Sequence, residues 1–238
     1  MFLKRKKKFK PLYKKFIKLR ENSQNRKKVF NFKKKKWKKF LLFYKLKLRW
    51  YKKFKPINQT KYVVSKYSDK HTSYKKLYKI TLQSYRNFSL FLGSMKKRHI
   101  KTIVRRCKTR KIQNYKLRFM ESFEKRIDVI LYRAKFCHSL RAAHQLISHE
   151  NVFINNKIIK NKSCITKTGD VIAINIKYLE LIKSNIRQVA IWPLPPKHLI
   201  VNYNTMQIIV GNIKYTNLFT LFPFYLNIEK FFTNFNKQ

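Results

Sequence analysis

Residues 126–175 read RIDVILYRAKFCHSLRAAHQLISHENVFINNKIIKNKSCITKTGDVIAIN, and their pattern of apolar residues changes halfway along. In the first half these residues lie three, four and seven apart, which predicts a short helix over residues 125–135 with Asp128 in its first turn. Ser139 is then a favourable N-cap for a second helix that runs to about residue 148. The buried stripes predicted for the two helices are Ile127, Ile130, Leu131 and Ala134, and Leu140, Ala143 and Ile147.

The second half alternates as strands do. Val152 and Ile154 predict a short strand, and Asn155-Asn156 predicts a turn because asparagine tolerates positive φ. Ile158-Ile159 then begin the return strand, and Gly169-Asp170 make another turn. A β-branched strand over residues 171–174 follows. The stretch is therefore predicted to fold as a helix–helix–sheet module.

The charge of the chain is extreme and unevenly distributed. The 238 residues include 59 lysines and arginines against nine acids, a formal net charge of +50. Residues 1–120 hold 43 of the basic residues and only two acids, whereas residues 121–238 hold 16 and seven. Self-repulsion of this size destabilises a compact state unless a polyanion neutralises it. Nucleic acid and an anionic membrane surface are the candidate partners.

Several classes of protein fit this sequence poorly. Its three cysteines are far apart, so neither a disulfide framework nor a CxxC zinc pattern follows. No apolar run reaches the roughly 18–20 residues that a membrane span requires. Three glycines cannot supply a glycine-rich phosphate loop. With nine acids and no plausible acid/base pair, we expect no catalytic residues, no metal site and no cofactor.

Elements outside the module are less sharply defined. Residues 56–85 are polar around Pro56 and predict a linker, while residues 86–122 return to helical character with Gly93 at a turn. Beyond the module we predict a helical stretch near 177–187, strands over 198–203 and 206–210, and an apolar segment over Phe222–Ile228.

Polar side chains of the module suit the shape, phosphates and ribose hydroxyls of folded RNA. Arg126 and Arg133 lie about 10 Å apart along one side of the predicted helix. We expect both to be exposed to phosphates, because acidic partners are scarce. Gln145, Ser148 and His149 share a patch at the end of the second helix. For His149, a contact with the last helix carbonyls is the competing interpretation.

In order and spacing, these blocks resemble the RNA-binding motif of the small-subunit ribosomal protein 4 family. The matching blocks are Arg126-Ile127-Asp128, Tyr132-Arg133 with Phe136, Ala143–His149, Ile154–Lys157 and Gly169–Ile172. His144 stands where arginine is usual, and Asn156 replaces glycine. The resemblance is strong over about 50 residues. The stretch 196–210 is similar to the strands that close the family's body, and the N-terminal 120 residues match only in being basic and helical. The candidate RNA-binding residues are Arg126, Arg133, His144, Gln145, Ser148, His149, Asn155, Lys157, Lys160 and Lys162, and solvated surface lysines explain the last three equally well.

The resemblance implies an α+β fold in three parts. Residues 1–122 would be a basic, largely helical or extended region that wraps rRNA, and residues 123–178 a helix–helix–β-sheet RNA-binding module of the alpha-L type. Residues 179–238 would add C-terminal strands that pack on the body.

The implied function is that of a structural constituent of the small ribosomal subunit. Its partners would be small-subunit rRNA and neighbouring small-subunit ribosomal proteins, with messenger RNA near the path by which it enters the ribosome. The departures at His144 and Asn156, together with Leu140 and residues favoured by A/T-rich codons, indicate a mitochondrial protein encoded by the organelle genome.

Two other functions remain open at this stage. Pseudouridine synthases carry a similar module, so the chain could be an RNA-modifying enzyme, for which Asp69 is the only aspartate outside the module. Alternatively, the Lys/Phe segments could bind an anionic membrane surface.

Overall fold

The structure is a computed structural model that describes residues 74–109, 115–188 and 195–212, together with isolated positions elsewhere. Those positions are Lys15, Leu19, Lys35, Trp37, Lys38, Lys39, Leu41, Leu42 and Phe232. The segment predicted over Phe222–Ile228 and most of the predicted N-terminal region lie outside the described residues.

In the part of the chain described from residue 74 onward, the helices α1 (Tyr74–Phe91), α2 (Lys97–Thr109) and α3 (Tyr115–Glu124) precede the two helices of the module. The prediction of a linker over residues 56–85 is wrong from Tyr74 onward, because α1 begins there. Tyr85, Phe88 and Phe91, spaced by three residues, pack on the core, and this tertiary packing outweighs a polar local composition. The turn predicted at Gly93 is confirmed, with φ of +69°.

The two predicted helices of the module are α4 (Ile127–Arg133) and α5 (Leu140–Ser148). Ser139 is the N-cap of α5, since its side chain accepts a hydrogen bond from the backbone N–H of Ala142. Helix α4 is shorter than predicted because Arg126 is extended and forms a β-bridge with Ile165. All residues of the two predicted stripes are buried.

The strands of the described residues form a five-stranded antiparallel sheet in the order β2-β1-β3-β5-β4. Its strands are β1 (Val152–Ile154), β2 (Lys157–Ile158), β3 (Val171–Ile174), β4 (Leu199–Asn202) and β5 (Gln207–Val210). The Asn155-Asn156 turn is confirmed, with φ of +48° and +64°, and β2 begins one residue earlier than predicted. A 3₁₀ turn (Ile176–Tyr178) and helix α6 (Leu179–Arg187) connect β3 to β4.

The predicted boundary at residue 178 falls within this continuous structure. Strand β5 pairs with β3 of the module, with Val171 opposite Ile209 and Ile172 opposite Ile208. The C-terminal strands therefore extend the sheet of the module itself.

The α4–α5 hairpin joins two apolar cores. Val129 and Leu140 face a cluster formed with α1, α2 and α3. Ile130 and Ile147 face a second cluster that lies under the sheet and α6. Because each helix contributes to both clusters, the basic helical segment and the sheet are fixed relative to the hairpin.

Candidate nucleic-acid interface

A buried carboxylate at the start of α4 organises three polar side chains. Asp128 is fully buried. Arg126 donates from Nε to Oδ1 at 3.0 Å and from Nη2 to Oδ2 at 2.7 Å, and His144 Nε2 hydrogen-bonds Oδ2 at 2.7 Å. The backbone N–H of Val129 also donates to Oδ1. Burial by itself would raise the pKa of Asp128, but the hydrogen bonds from His144 and Arg126 outweigh it and hold the pKa below its ordinary value.

A second buried ion pair links α3 and α4 and lies near His198, just before β4. Arg133 donates from Nη2 to Oε1 of Glu124 at 2.8 Å and from Nε to Oε2 at 3.3 Å. His198 Nε2 lies 4.0 Å from the same carboxylate. Burial is the largest influence on His198 and lowers its pKa; the charge of Arg133 lowers it further, and Glu124 opposes the shift.

These pairs contradict the expectation that Arg126 and Arg133 are exposed to phosphates. Arg126 is 7% exposed and Arg133 is 2% exposed, and both guanidinium groups are committed to internal carboxylates. A buried charge is stable only when it is paired and hydrogen-bonded, so local partners decide where these arginines lie. The signal in the sequence was the Arg-x-Asp spacing of Arg126 and Asp128, together with Glu124 just before the first predicted helix.

The expectation for His144 also changes. Its ring packs against the α1–α2 turn: a Cβ built at Gly93 would lie 2.6 Å from Cε1 of His144. The ring therefore contacts Asp128 on one side and Gly93 on the other, and the residue is only partly exposed. The structure gives His144 a role in positioning the turn against α5.

The remaining candidates lie on the surface, at the end of α5 and around the β1–β2 turn. Gln145, Ser148 and His149 are all exposed. The backbone N–H of His149 caps α5 by donating to Gln145 O, and Ser148 Oγ donates to His144 O. The structure thus brings this predicted patch together at the C-terminal end of α5.

Lysines extend this patch. Lys157, Lys160 and Lys162 are exposed, and Lys160 Nζ lies 2.9 Å from Glu150 Oε1 in an exposed ion pair. Asn155 is exposed but its side chain is engaged: Nδ2 donates to Asp170 Oδ1, and Oδ1 accepts from the N–H of Val171. Asn155 therefore holds two turns side by side.

Helix α2 carries a basic surface that was not among the predicted RNA-binding residues. Its buried side is formed by Ile100, Val104 and Cys107. Its exposed residues include Arg98 and Arg105. The high charge of residues 96–111 was visible in the sequence, but the face that it would occupy depends on how α2 packs.

Metal binding and membrane spanning have no support in the part of the chain described here. No group of three or more His, Cys, Asp or Glu side chains there could hold a metal ion. Cys137 is buried, and burial raises its pKa to about 12. None of the helices in these ranges combines the length and apolar character that crossing a membrane would need. Asp69, the residue of the enzyme alternative, lies outside the described residues.

Comparison with known proteins identifies the same module. Residues 125–172 match the family described as "S4 domain", which spans α4, α5 and the strands β1 and β2 and ends within β3. The match therefore covers the buried Asp128 cluster and the exposed patch at the end of α5.

Three relatives extend the similarity beyond the module. Small ribosomal subunit protein uS4m of Marchantia polymorpha is 36% identical over 137 residues, which is 56% of this chain and 68% of the relative. The uS4m protein of Reclinomonas americana is 31% identical over 121 residues, 47% of each chain. Small ribosomal subunit protein uS4 of Ureaplasma parvum is 38% identical over 76 residues, 31% of this chain and 38% of the relative. The chain thus spans about two thirds of the first relative's length and less than half of the other two.

Proposed function

Since the chain belongs to the small ribosomal subunit protein uS4 family, we propose that it is a structural constituent of the mitochondrial small ribosomal subunit that binds small-subunit rRNA. The observation that carries the proposal is the S4 domain match over residues 125–172, on a module in which Asp128 is buried while Lys157, Lys160 and Lys162 are exposed. The relatives from Marchantia polymorpha and Reclinomonas americana are named uS4m, which supports the mitochondrial location.

The surface chemistry supports RNA as the polyanion. Gln145 and Ser148 can hydrogen-bond ribose hydroxyls and phosphates, while His149 can stack on a base or donate a hydrogen bond. Lys157 and Lys162 add positive charge at the adjacent turn. The buried pairs contribute indirectly, because Asp128 and Glu124 keep the helices and sheet in the arrangement that presents this patch.

Further parts of the proposal reach beyond the module. We infer contacts with neighbouring small-subunit ribosomal proteins, a role in assembly, a position near the path by which messenger RNA enters the ribosome, and a gene in the organelle genome. The names of the relatives favour this structural role over an RNA-modifying enzyme, and family membership favours RNA over a membrane surface.

Binding to rRNA fragments tests the proposal directly. The full chain is expected to bind a fragment of small-subunit rRNA more tightly than an unrelated structured RNA of equal length. Affinity should fall steeply as salt rises, because phosphate contacts release counterions. Equal affinity for the two RNAs across the salt series would refute a specific role.

Two substitutions locate the surface. His149→Gln combined with Lys157→Gln should weaken binding to the cognate fragment more than to the unrelated RNA. The matched control is Lys183→Gln, an exposed lysine on α6, for which the preference between the two RNAs should not change. An unchanged preference in the His149/Lys157 variant would remove the patch from the interface.

A further inference from the structure

The turn between α1 and α2 has a fixed shape. Gly93 and Ser94 both have left-handed backbone conformations, with φ of +69° and +72°. The N–H of Ser94 donates to the carbonyl of Ser89 at 2.7 Å, and Ser89 Oγ donates to the carbonyl of Met95 at 2.7 Å. A non-glycine residue in this conformation is uncommon and is strained unless its surroundings hold it. The hydroxyl of Ser94 is therefore presented at a defined place.

Two cations converge on that hydroxyl. Lys15 Nζ donates to Ser94 Oγ at 3.1 Å, and Arg141 Nη2, from α5, donates to it at 2.8 Å. Both charged groups thus lie within hydrogen-bond distance of one neutral oxygen. Burial, and then the positive charge of Arg141, lower the pKa of Lys15, and burial lowers the pKa of Arg141.

Within the described residues, no carboxylate neutralises this pair. The ion-paired acids are held elsewhere: Glu121 by Lys125, Glu124 by Arg133, Asp128 by Arg126 and His144, and Glu150 by Lys160. Asp170 instead accepts from the Asn155 side chain and from the N–H of Lys167. Two partly buried cations with no described carboxylate beside them are an arrangement that an anion would stabilise.

We propose that Lys15, Ser94 and Arg141 form a binding notch, the Ser94 notch, for a phosphodiester of the RNA backbone. A phosphodiester carries one negative charge on two non-bridging oxygens. One oxygen can accept from the guanidinium of Arg141, whose planar donors suit phosphate, and the other from the ammonium of Lys15. The serine hydroxyl can rotate to donate to the same group. This inference rests on the proposed function, and it adds Lys15 and Ser94, which lie outside the matched residues 125–172, to Arg141 within them.

Helix α2 continues the notch as a row of cations. It begins three residues after Ser94, and Arg98, Lys101 and Arg105 lie three and four residues apart on one side. The row spans about 10 Å at 1.5 Å per residue. Arg98 and Arg105 are exposed and Lys101 is partly exposed. We therefore place successive phosphates of one RNA strand along α2, starting from the Ser94 notch.

Directed cleavage of the RNA tests the location. A Lys96→Cys variant of the full chain, carrying a tethered iron chelate that generates hydroxyl radicals, places the probe two residues from Ser94 without altering the notch. The control is Thr205→Cys, at the exposed β4–β5 turn, and the unsubstituted chain gives the background from Cys164. We expect cleavage of one short stretch of small-subunit rRNA from Lys96→Cys only. Cleavage no stronger than that of the control would overturn the proposal.

Binding measurements test the chemistry. Loss of one phosphate contact in Arg141→Gln should weaken rRNA binding about tenfold and lower the slope of log affinity against log salt by about one. Arg141→Lys keeps a positive charge and should retain part of the affinity. The charge-matched control is Arg187→Gln, an exposed arginine at the end of α6, for which we expect a smaller loss.

The outcomes separate this inference from the proposed function. If the unsubstituted chain prefers its rRNA fragment and Arg141→Gln binds that fragment equally well, the notch is refuted and the proposed function stands. If Arg141→Gln keeps rRNA affinity but no longer joins small subunits, the notch meets an acidic protein group and the RNA assignment fails. If the unsubstituted chain shows no preference between RNAs, the proposed function is what fails.

Discussion

Replacing Asp128 by asparagine is the sharpest perturbation of the fold. The side chain keeps its shape, but the guanidinium of Arg126, only 7% exposed, loses its counter-ion. Two hydrogen bonds from Arg126, one with His144 and one from the N–H of Val129 all end on this carboxylate. Breaking a buried pair on one side destabilises a protein by about 3–5 kcal/mol, because a buried charge is left uncompensated.

An exposed ion pair supplies the control. Lys160 and Glu150 lie 2.9 Å apart, with 74% and 46% of their side chains exposed. Such pairs contribute about 0–1 kcal/mol, so Glu150→Gln should change stability little. Urea unfolding of the full-length variants measures both effects. With a slope of about 1–3 kcal/mol per molar urea, Asp128→Asn should lower the midpoint by at least about 1 M.

A paired substitution identifies the cause. If the unpaired guanidinium is what destabilises Asp128→Asn, then Arg126→Met combined with Asp128→Leu should recover part of the stability, because replacing both charges by apolar groups is often close to neutral. Equal urea midpoints for Asp128→Asn and Glu150→Gln would refute the assignment of Asp128 as a buried anchor. A double variant less stable than Asp128→Asn would show that the hydrogen bonds to His144 and Val129 matter more than the charge.

The same carboxylate predicts a dependence on pH. Because the folded state lowers the pKa of Asp128 below its ordinary value of 3.8, the unfolded chain takes up the proton first. The stability contributed by Asp128 is therefore present above pH 3.8 and is lost as the pH falls through the lower folded pKa. The free energy of unfolding of Asp128→Asn should therefore change less with pH in the acidic range than that of the unsubstituted chain.

Three further predictions concern single positions. Gly93→Ala should destabilise the chain more than Gly169→Ala. Both glycines have positive φ, but only at Gly93 would an added Cβ meet the His144 ring, at 2.6 Å. Equal urea midpoints for the two variants would contradict this prediction. Lys135 has a backbone φ of +65°, and burial lowers the pKa of its ammonium group to about 8. Lys135→Gly should therefore raise the free energy of unfolding by about 1 kcal/mol in thermal unfolding. A loss of stability would show that the cation–π contact of Lys135 with Tyr132 dominates. Burial lowers the pKa of His198 below 6.5, so the free energy of unfolding should fall as the pH drops below 6.5. His198→Asn should remove that fall. An unchanged dependence of the unfolding free energy on pH in this variant would refute the prediction.

Local patterns in the sequence were sufficient to predict the module. The spacing of Ile127, Ile130 and Leu131 predicts a helix because one side of it must be buried, and that side is fully buried in the structure. Ser139 and the Asn155-Asn156 turn depend only on hydrogen bonds and backbone angles within a few residues. Sequence patterns that act within a few residues predict the same local structure largely independently of the rest of the fold.

Long-range pairing was the part that the sequence did not reveal. The pairing of β5 with β3 joins residues separated by a helix, and no local pattern specifies it. The burial of Arg133 depends on Glu124, nine residues earlier and on another helix. Counting acids over the whole chain made such a partner look improbable, although a single nearby carboxylate is enough to draw an arginine inward.

The placement of the few acids explains how so basic a chain folds around a defined module. The two buried arginines, Arg126 and Arg133, each contact a buried carboxylate, so the interior of the module is locally balanced. Among the described residues, further positive charge lies on surfaces such as α2 and the β1–β2 turn, where water and counterions screen it. Internal acids therefore stabilise the module without neutralising its outer surface. A polyanion outside can then bind that surface without competing with Asp128 and Glu124 for Arg126 and Arg133.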